Sequence, residues 1–269
     1  MHPVRFTMET SSNGVLERGF TVGEVPGVLW SPASGSHHAP LVLMGHGGGL
    51  HKKTPALMAR AHDAVTTWGF TVAAIDAPGH GDRPRTAEDE RVRADFRQAM
   101  TAGDTGHFES VVVRYAISLA ERAVPEWRAT LDALQELPEI GAEAPIGYGG
   151  GISLGTAIGV PLTATEPRIG AAIFGGGFFV YEALIEAARR ITVPVQFLLP
   201  WDDEHVDRQS ALALFDAFAS KEKTLHANPG DHRTIRWTGI DNEFLPRHLG
   251  RAGTPGGGVV DDFSPGRTS

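Results

Sequence analysis

The sequence predicts an α/β fold with a mostly parallel central sheet and helices on both faces. Two observations support this prediction. Short apolar segments alternate with longer segments of helical periodicity, which is the pattern of repeated β-α units. Most of the apolar segments are nearly continuous, as expected of parallel strands that are buried on both faces. A chain of 269 residues is long enough to form one large domain of this kind.

The predicted elements follow one another in a regular order. Before the core sheet, the segments "FTMET" and "VPGVLWSP" predict an antiparallel hairpin or sheet edge. Near-continuous apolar character then predicts core strands at 40–45, 70–76, 144–148, 169–174, 193–199 and 223–227. The segments between these strands predict helices at 55–68, 114–136, 154–165, 180–191, 208–220 and 242–249.

Two further segments complete the predicted organisation, in which the domain spans residues 1–250. Residues 83–110 are charged and interrupted by "TAGDTGH", so we expect them to form an excursion over one rim of the site. Within them, "TAEDERVRADFRQAM" predicts a helix with a solvated face. Residues 251–269 are rich in glycine, proline and serine, which predicts a flexible C-terminal tail.

Composition excludes several classes of protein. Hydrophobic residues make up 41% of the chain and charged residues 21%, which is ordinary for a soluble globular protein. The net charge of −8 argues against nucleic acid as a partner, because nucleic-acid binding usually requires a basic surface. The absence of cysteine excludes disulfides, thiolate metal ligands and a cysteine nucleophile. Without a long apolar run, we expect a cytoplasmic protein with no membrane partner.

The most informative stretch is "APIGYGGGISLGTAIG", residues 144–159, in which Gly147, Gly149, Gly150, Gly151 and Gly155 lie close to Ser153 in the sequence. It contains Gly-x-Ser-x-Gly between a predicted strand and a predicted helix, the pattern of a nucleophile elbow. In such an elbow a sharp turn presents the serine, and we expect backbone crowding two residues on either side of it to require glycine. The following helix directs its N-terminal dipole and free N–H groups at a developing oxyanion. The alternative is a loose glycine-rich loop.

A second glycine cluster follows the first core strand, where "LVLMGHGGGLHK" contains His46-Gly47-Gly48-Gly49. This pattern is similar to oxyanion loops of the HGGG type, in which a backbone N–H acts together with that of the residue after the nucleophile. The candidate donors are therefore Leu154 and Gly48, with Gly49 as the alternative to Gly48. The rival interpretation is a phosphate-binding loop, but neither nucleotide-binding glycine motif occurs in the chain.

The acid and the base of a catalytic triad have candidates on two later loops. Asp202, Asp203 and Glu204 follow the strand predicted at 193–199, and His232 follows the strand predicted at 223–227. Both loops lie beyond the carboxyl ends of predicted strands, where open α/β sheets bind their ligands. The order serine, acid, histidine is that of the hydrolases with a nucleophile elbow.

With these motifs in place, residues 40–250 resemble the α/β-hydrolase superfamily, and within it the single-domain esterases related to dienelactone hydrolases. The resemblance is carried by "HGGG", "DAPGHG" at 76–81, "GISLG", "DDEHV" and "GDH". It implies a serine esterase in which Ser153 is the nucleophile, His232 the general base and Asp203 the orienting acid. Dienelactone hydrolases themselves use a cysteine nucleophile, so the resemblance implies the fold and not their substrate.

The remaining expectations concern the substrate and other ligands. Trp201, Phe178 and Phe179 are candidates to line an apolar acyl pocket. Only one helix fits between the strands predicted at 169–174 and 193–199, which leaves no room for a large lid there and favours short to medium acyl chains. No cofactor is required for ester hydrolysis by this triad, and the partner expected is a small-molecule ester.

We also expect no metal site, because the spacings of Asp76, His80 and Asp82 and of His46 and His51 match no standard ligand set. The same triad could instead cleave thioesters, amides or carbon–carbon bonds, or transfer acyl groups. A non-catalytic member of the fold that binds a small ligand is the alternative of a different class.

Overall fold

A computed structural model describes residues 2–35, 38–103, 105–150, 153–176, 179–203, 207–232 and 234–250. These residues form one sheet with the strand order β1-β2-β3-β5-β4-β6-β7-β8-β9. The strands from β5 to β9 in this order are parallel, whereas β1, β2 and β3 form an antiparallel ribbon that joins the sheet at β5. The predicted fold class, an α/β fold with a mostly parallel sheet, is confirmed. The predicted tail at 251–269 lies outside the described residues.

All six predicted core strands are present, with ends that differ by at most two residues from the predicted ones. They are β4 (Leu41–Met44), β5 (Thr71–Ile75), β6 (Ile146–Gly149), β7 (Ile169–Gly175), β8 (Val195–Pro200) and β9 (Lys223–Asn228). Strands β4, β5 and β6 are buried along their whole length. Their continuous apolar sequence therefore reflects burial on both faces of the sheet.

Helices cover both faces of this sheet. On one face, α1 (Pro55–Trp68) and α7 (Phe244–Leu249) pack into a core with the apolar side chains of β3, β4 and β5. The other face carries α3 (Thr105–Gln135), α4 (Leu154–Thr165), α5 (Glu182–Ala188) and α6 (Arg208–Ala217). Among the helices of the described ranges, none is both long and apolar enough to cross a membrane.

The N-terminal ribbon contains a strand that the sequence analysis missed. Strands β1 (Val4–Ser12) and β3 (Val25–Pro32) do not pair with each other, because β2 (Val15–Val22) lies between them and pairs with both. Asn13 and Gly14 join β1 to β2 with φ of 50° and 78°. Positive φ at both positions of a two-residue loop is typical of an Asn-Gly hairpin turn. This dipeptide was the signal that could have revealed β2.

The segment after β5 is more helical than expected. Helix α2 (Ala87–Ala102) packs against α3, and α3 begins nine residues before the helix predicted at 114–136. Asp89 is buried and fixes the first turn of α2, because it accepts hydrogen bonds from Thr86 and pairs with Arg122 of α3 at 3.2 Å. Helix α2 is thus held beside α3, whose middle part packs on the sheet. Between β7 and β8, the described residues contain the single helix α5.

Candidate active site

Ser153 lies at a sharp turn between β6 and α4. Its backbone has φ 71° and ψ −113°, a conformation that costs a non-glycine residue about 1–3 kcal/mol. The surrounding hydrogen bonds maintain this turn: the Ser153 N–H donates to the Gly176 carbonyl at 3.2 Å, and the Ser153 carbonyl accepts from Thr156 and Ala157. Strain at one serine between a strand and a helix is the geometry of a nucleophile elbow.

A side-chain clip attaches the first turn of α4 to β7. The Thr156 hydroxyl donates to the Gly175 carbonyl at 2.6 Å and accepts from the Gly175 N–H at 2.9 Å. Thr156 is fully buried, so both backbone groups of Gly175 depend on this hydroxyl in a site away from water. The clip fixes the start of α4 directly after Ser153.

Near Ser153, the position that has no space for a side chain is Gly150 and not Gly155. A Cβ on Gly155 would lie 3.5 Å from its nearest neighbours, which is ordinary van der Waals contact. A Cβ on Gly150 would lie 2.7 Å from the Ile173 carbonyl oxygen and 2.8 Å from the Tyr148 ring. The prediction that backbone crowding requires a glycine at 155 is therefore wrong. The crowded position is Gly150, directly after β6, where the backbone of β7 and the Tyr148 ring leave no space for a Cβ. Gly151 lies outside the described residues.

His232 and Asp203 form a close pair on the loops after β9 and β8. The Asp203 Oδ2 atom lies 2.6 Å from His232 Nδ1 and also accepts the His232 backbone N–H at 2.7 Å. Because a carboxylate only accepts hydrogen bonds, Nδ1 carries the proton and Nε2 is left as an acceptor in the neutral ring. The Asp203 side chain is fully buried, whereas that of His232 is 22% exposed. The pair thus orients a histidine whose other nitrogen can accept a proton.

The neighbouring Asp202 has a different environment. It is exposed, and its carboxylate accepts the Gly230 N–H at 3.1 Å while its own N–H donates to the Gly230 carbonyl at 3.2 Å. These contacts join the loop after β8 to the loop after β9. Of the two aspartates, Asp203 is therefore the one that contacts His232 in this structure.

The loop after β4 brings Gly48 against Ser153. A Cβ built on Gly48 would lie 3.8 Å from Ser153 Oγ, whereas one built on Gly49 would meet nothing within 4 Å. His46 anchors the start of the loop, because its Nε2 accepts the Ala77 N–H at 3.0 Å and its Nδ1 lies 2.9 Å from the Gly47 carbonyl. Burial lowers the pKa of His46 to about 4, so the ring is neutral and structural.

The solved structures most similar to this chain include a cold-adapted esterase from an Arctic intertidal metagenomic library. Its PEG-bound structure is 34% identical, covers 90% of this chain and 97% of its own, and has a TM-score of 0.66. This chain belongs to the α/β-hydrolase family of these esterases. The native structure of the Arctic intertidal esterase is 30% identical over 91% of this chain and 99% of its own, with a TM-score of 0.64.

A more distant likeness supports the fold alone. A dienelactone hydrolase from Anabaena variabilis is 19% identical over 89% of this chain and 92% of its own, with a TM-score of 0.53. No protein-family model matches the sequence, and no curated protein matches it significantly.

In this α/β-hydrolase, two cavities meet at Ser153 and Gly48. The larger, of about 800 Å³, also contains His46 and His232 and extends between α1 and the segment 235–246. The smaller, of about 340 Å³, extends on the other side beneath α2 and α3. Its further lining residues are Gly49, His80, Arg93, Phe96, Arg97, Val112, Tyr115, Ala116, Leu119, Leu154 and Ala157. Ser153 is thus accessible from two cavities, one that is also lined by His232 and one that is lined by α2 and α3.

Of the aromatic residues expected to line the pocket, Trp201 and Phe179 line neither of these cavities. Trp201 is 37% exposed, and its ring stacks under the Arg208 guanidinium at 4.0 Å. Phe179 contacts the ring of Phe108, with centroids 5.9 Å apart, and Phe108 in turn contacts Phe96. Phe178 lies outside the described residues. The aromatic lining beside Ser153 comes from α2 and α3, which the sequence analysis missed because charged residues surround Phe96.

Two acidic side chains near the site pair with a lysine. In the parts of the chain that the structure describes, no group of three or more histidine or acidic residues could hold a metal ion. Asp76 and Asp82, which are close in sequence to His80, instead pair with Lys52 Nζ, each at 2.6 Å.

Proposed function

We propose that this α/β-hydrolase is a serine esterase that cleaves carboxylic esters through Ser153, His232 and Asp203. The observation that carries the proposal is the strained elbow at Ser153, which lines the same cavity as His232, whose Nδ1 is hydrogen-bonded to Asp203. A residue keeps such strain only where its surroundings impose it, and these residues cluster at active sites. The esterase relatives support ester hydrolysis as the reaction.

In the first half of the reaction, the Ser153 hydroxyl attacks the ester carbonyl carbon. His232 Nε2 takes the hydroxyl proton as the bond from Oγ to carbon forms, and the carbonyl oxygen becomes an oxyanion. Collapse of this intermediate breaks the bond to the alkoxy oxygen, which receives the proton from His232. The alcohol leaves, and the acyl group remains on Ser153.

In the second half, water replaces the alcohol. His232 takes a proton from water, the hydroxyl oxygen bonds to the acyl carbon, and the bond to Oγ breaks as Ser153 regains its proton. The sum is ester plus water giving carboxylic acid plus alcohol. Asp203 keeps its negative charge throughout and stabilises the imidazolium that forms twice in each cycle.

The oxyanion is stabilised by the backbone N–H groups of Gly48 and Leu154. Leu154 is the first residue of α4, where N–H groups have no acceptor within the helix. Gly48 lies against the nucleophile, since a Cβ placed on it would be 3.8 Å from Ser153 Oγ. One such donor is worth about 10²- to 10³-fold in kcat. The helix dipole of α4 adds to this stabilisation, because its positive end is directed at Ser153.

Hydrolysis of p-nitrophenyl butyrate by the wild type and by Ser153→Ala tests the proposal. We expect turnover by the wild type and a loss of several orders of magnitude in the variant, because the triad residues act together. Circular dichroism confirms that the variant is folded. An initial burst of p-nitrophenol equal to the enzyme concentration would support the acyl-enzyme. Near-normal turnover by folded Ser153→Ala would overturn the proposed function.

A further inference from the structure

The smaller cavity beside Ser153 combines an apolar wall with two arginines, and these arginines have no role in the chemistry described above. We infer that it is the acyl subsite, and that Arg93 and Arg97 select acyl groups with a carboxylate at their far end. The substrates would then be esters of short dicarboxylic acids, with one carboxyl group esterified and the other free. This inference rests on the proposed function and specifies its substrate class.

The position of His232 assigns the two cavities. In ester hydrolysis the histidine donates its proton to the leaving alkoxide, so the alcohol must lie on the histidine side of the serine. His232 lines the larger cavity and does not line the smaller one. The alcohol therefore occupies the larger cavity. The acyl chain then extends to the other side of Ser153, beneath α2 and α3.

The two arginines of the smaller cavity have no acidic partner among its lining residues, and the nearby Asp89 pairs with Arg122 instead. Arg93 and Arg97 are one helical turn apart on α2, and both line the cavity. None of the described residues that line it is acidic. Within the described ranges, neither guanidinium makes a hydrogen bond or an ion pair, although the chain has 32 acidic residues against 24 lysines and arginines. By contrast, Arg91 on the same helix is exposed and bonds the Ala87 carbonyl at 3.3 Å.

The third basic side chain of the cavity does not add charge. His80 is buried, and its Nδ1 lies 2.9 Å from the Pro78 carbonyl. Burial lowers the pKa of His80 and the charge of Arg93 acts in the same direction, and together they outweigh the Pro78 hydrogen bond and the charges of Asp89 and Asp76, which raise it. The cavity thus presents two positively charged guanidinium groups beside a neutral histidine.

The size and the wall of the cavity fit a short chain with a charged end. Its volume of about 340 Å³ is near the lower end of the range for small-molecule sites. Leu119, Ala116, Val112 and Phe96 offer apolar contacts to methylene groups. Arg93 is half-buried and Arg97 is exposed at the rim. A carboxylate at the far end of the acyl chain would therefore contact guanidinium groups that lie next to apolar side chains. Attraction between opposite charges is stronger there than in bulk water.

The test compares two esters that differ only at the far end of the acyl chain. One is mono-p-nitrophenyl adipate, which has a free carboxylate, and the other is its methyl ester, which is neutral. We expect the wild type to have a kcat/KM about tenfold or more higher for the carboxylate, as for a charge-assisted hydrogen bond. In Arg93→Gln/Arg97→Gln this ratio should fall at least about tenfold. Arg91→Gln is the matched control and should keep the wild-type ratio.

Two results would overturn the inference: a wild-type ratio of one or less, or a ratio that the double variant leaves unchanged. If the neutral ester is hydrolysed in a Ser153-dependent way in either case, the proposed function stands and only the substrate class is wrong. If neither these esters nor p-nitrophenyl butyrate are hydrolysed, the proposed function fails. Calorimetric binding of monomethyl adipate to Ser153→Ala then tests the subsite alone, and binding that is equal with and without the two arginines overturns it.

Discussion

Lys52 donates both its backbone N–H and its Nζ to the carboxylate of Asp76, at 2.8 and 2.6 Å. This pair fastens the loop that contains Gly48 to the loop after β5. Asp76 is fully buried, and burial alone would raise its pKa, but the hydrogen bonds from Lys52 and from the Asp82 N–H together lower it. The carboxylate is thus ionised in the core, where its charge depends on these partners.

Removal of the Asp76 charge is the first prediction. Asp76→Asn should lower the free energy of unfolding by about 3–5 kcal/mol, because the change leaves the buried Lys52 ammonium without its buried partner. It should also lower kcat, since the Gly48 loop loses its attachment. Denaturant unfolding and butyrate hydrolysis measure the two effects. Asp82→Asn is the control, and because Asp82 is 77% exposed it should cost less than about 1 kcal/mol.

The pH dependence of stability is the second prediction. The unfolded chain protonates His46 near pH 6.5, whereas the folded protein does so only near pH 4. The unfolded state therefore binds more protons between these values, and the free energy of unfolding falls as pH decreases from 6.5 to 4. The loss due to His46 is on the order of 3 kcal/mol for the full shift.

Unfolding of wild type, His46→Gln and His51→Gln at pH 7 and pH 5 measures this contribution. His46→Gln should lose less stability than the wild type between the two pH values. His51→Gln, which changes an exposed histidine of the same loop, should follow the wild type. Equal losses in all three proteins would show that His46 titrates normally in the fold.

The clip between Thr156 and Gly175 gives the third prediction. Thr156→Val keeps the shape of the side chain but leaves the buried N–H and carbonyl of Gly175 without their partner, which costs about 1–3 kcal/mol. Because the clip fixes the turn after Ser153, kcat should fall as well. Thr156→Ser retains the hydroxyl and should keep most of the activity. If Thr156→Val and Thr156→Ser have the same kcat, the hydrogen bonds between Thr156 and Gly175 do not position Ser153.

The assignment of the acid is the fourth prediction. Asp203→Asn should lower kcat by about 10⁴-fold, because the amide no longer enforces the His232 tautomer with a proton on Nδ1. Asp202→Asn keeps an oxygen that can accept the Gly230 N–H, so its kcat should stay close to that of the wild type. Steady-state kinetics on both folded variants decides between them. A large loss of kcat in Asp202→Asn would instead identify Asp202 as the acid.

The elements that could be predicted from the sequence are those marked by a pattern of consecutive residues. The six core strands were predicted correctly because burial on both faces leaves a continuous apolar run, and Ser153 and His232 were proposed as site residues because each follows such a strand. The short ribbon strand β2 was missed, since "VLERGFTV" mixes charged and apolar residues, although Asn13-Gly14 marked its start. Each of these elements is marked by a pattern of neighbouring residues in the sequence.

The lining of the smaller cavity could not be predicted in the same way. Helix α2 is mostly polar, and the sequence predicts a solvated face for it without indicating which residues face the serine. Phe96 and Arg93 line the cavity because Asp89 and Arg122 hold α2 beside α3, a long-range contact. Trp201 directly follows a core strand, yet its ring stacks on Arg208 at the surface. Side-chain direction at a loop depends on such tertiary contacts.

The most direct test of the central claim is labelling with a fluorophosphonate, followed by peptide mass spectrometry. Such probes report an activated serine without requiring knowledge of the substrate. We predict one adduct per wild-type chain, on the peptide that contains Ser153, and labelling slowed by about 10³-fold or more in folded His232→Gln, since the base is lost. An adduct on another serine, or no adduct on folded wild-type protein, would contradict the assignment of Ser153 as the nucleophile.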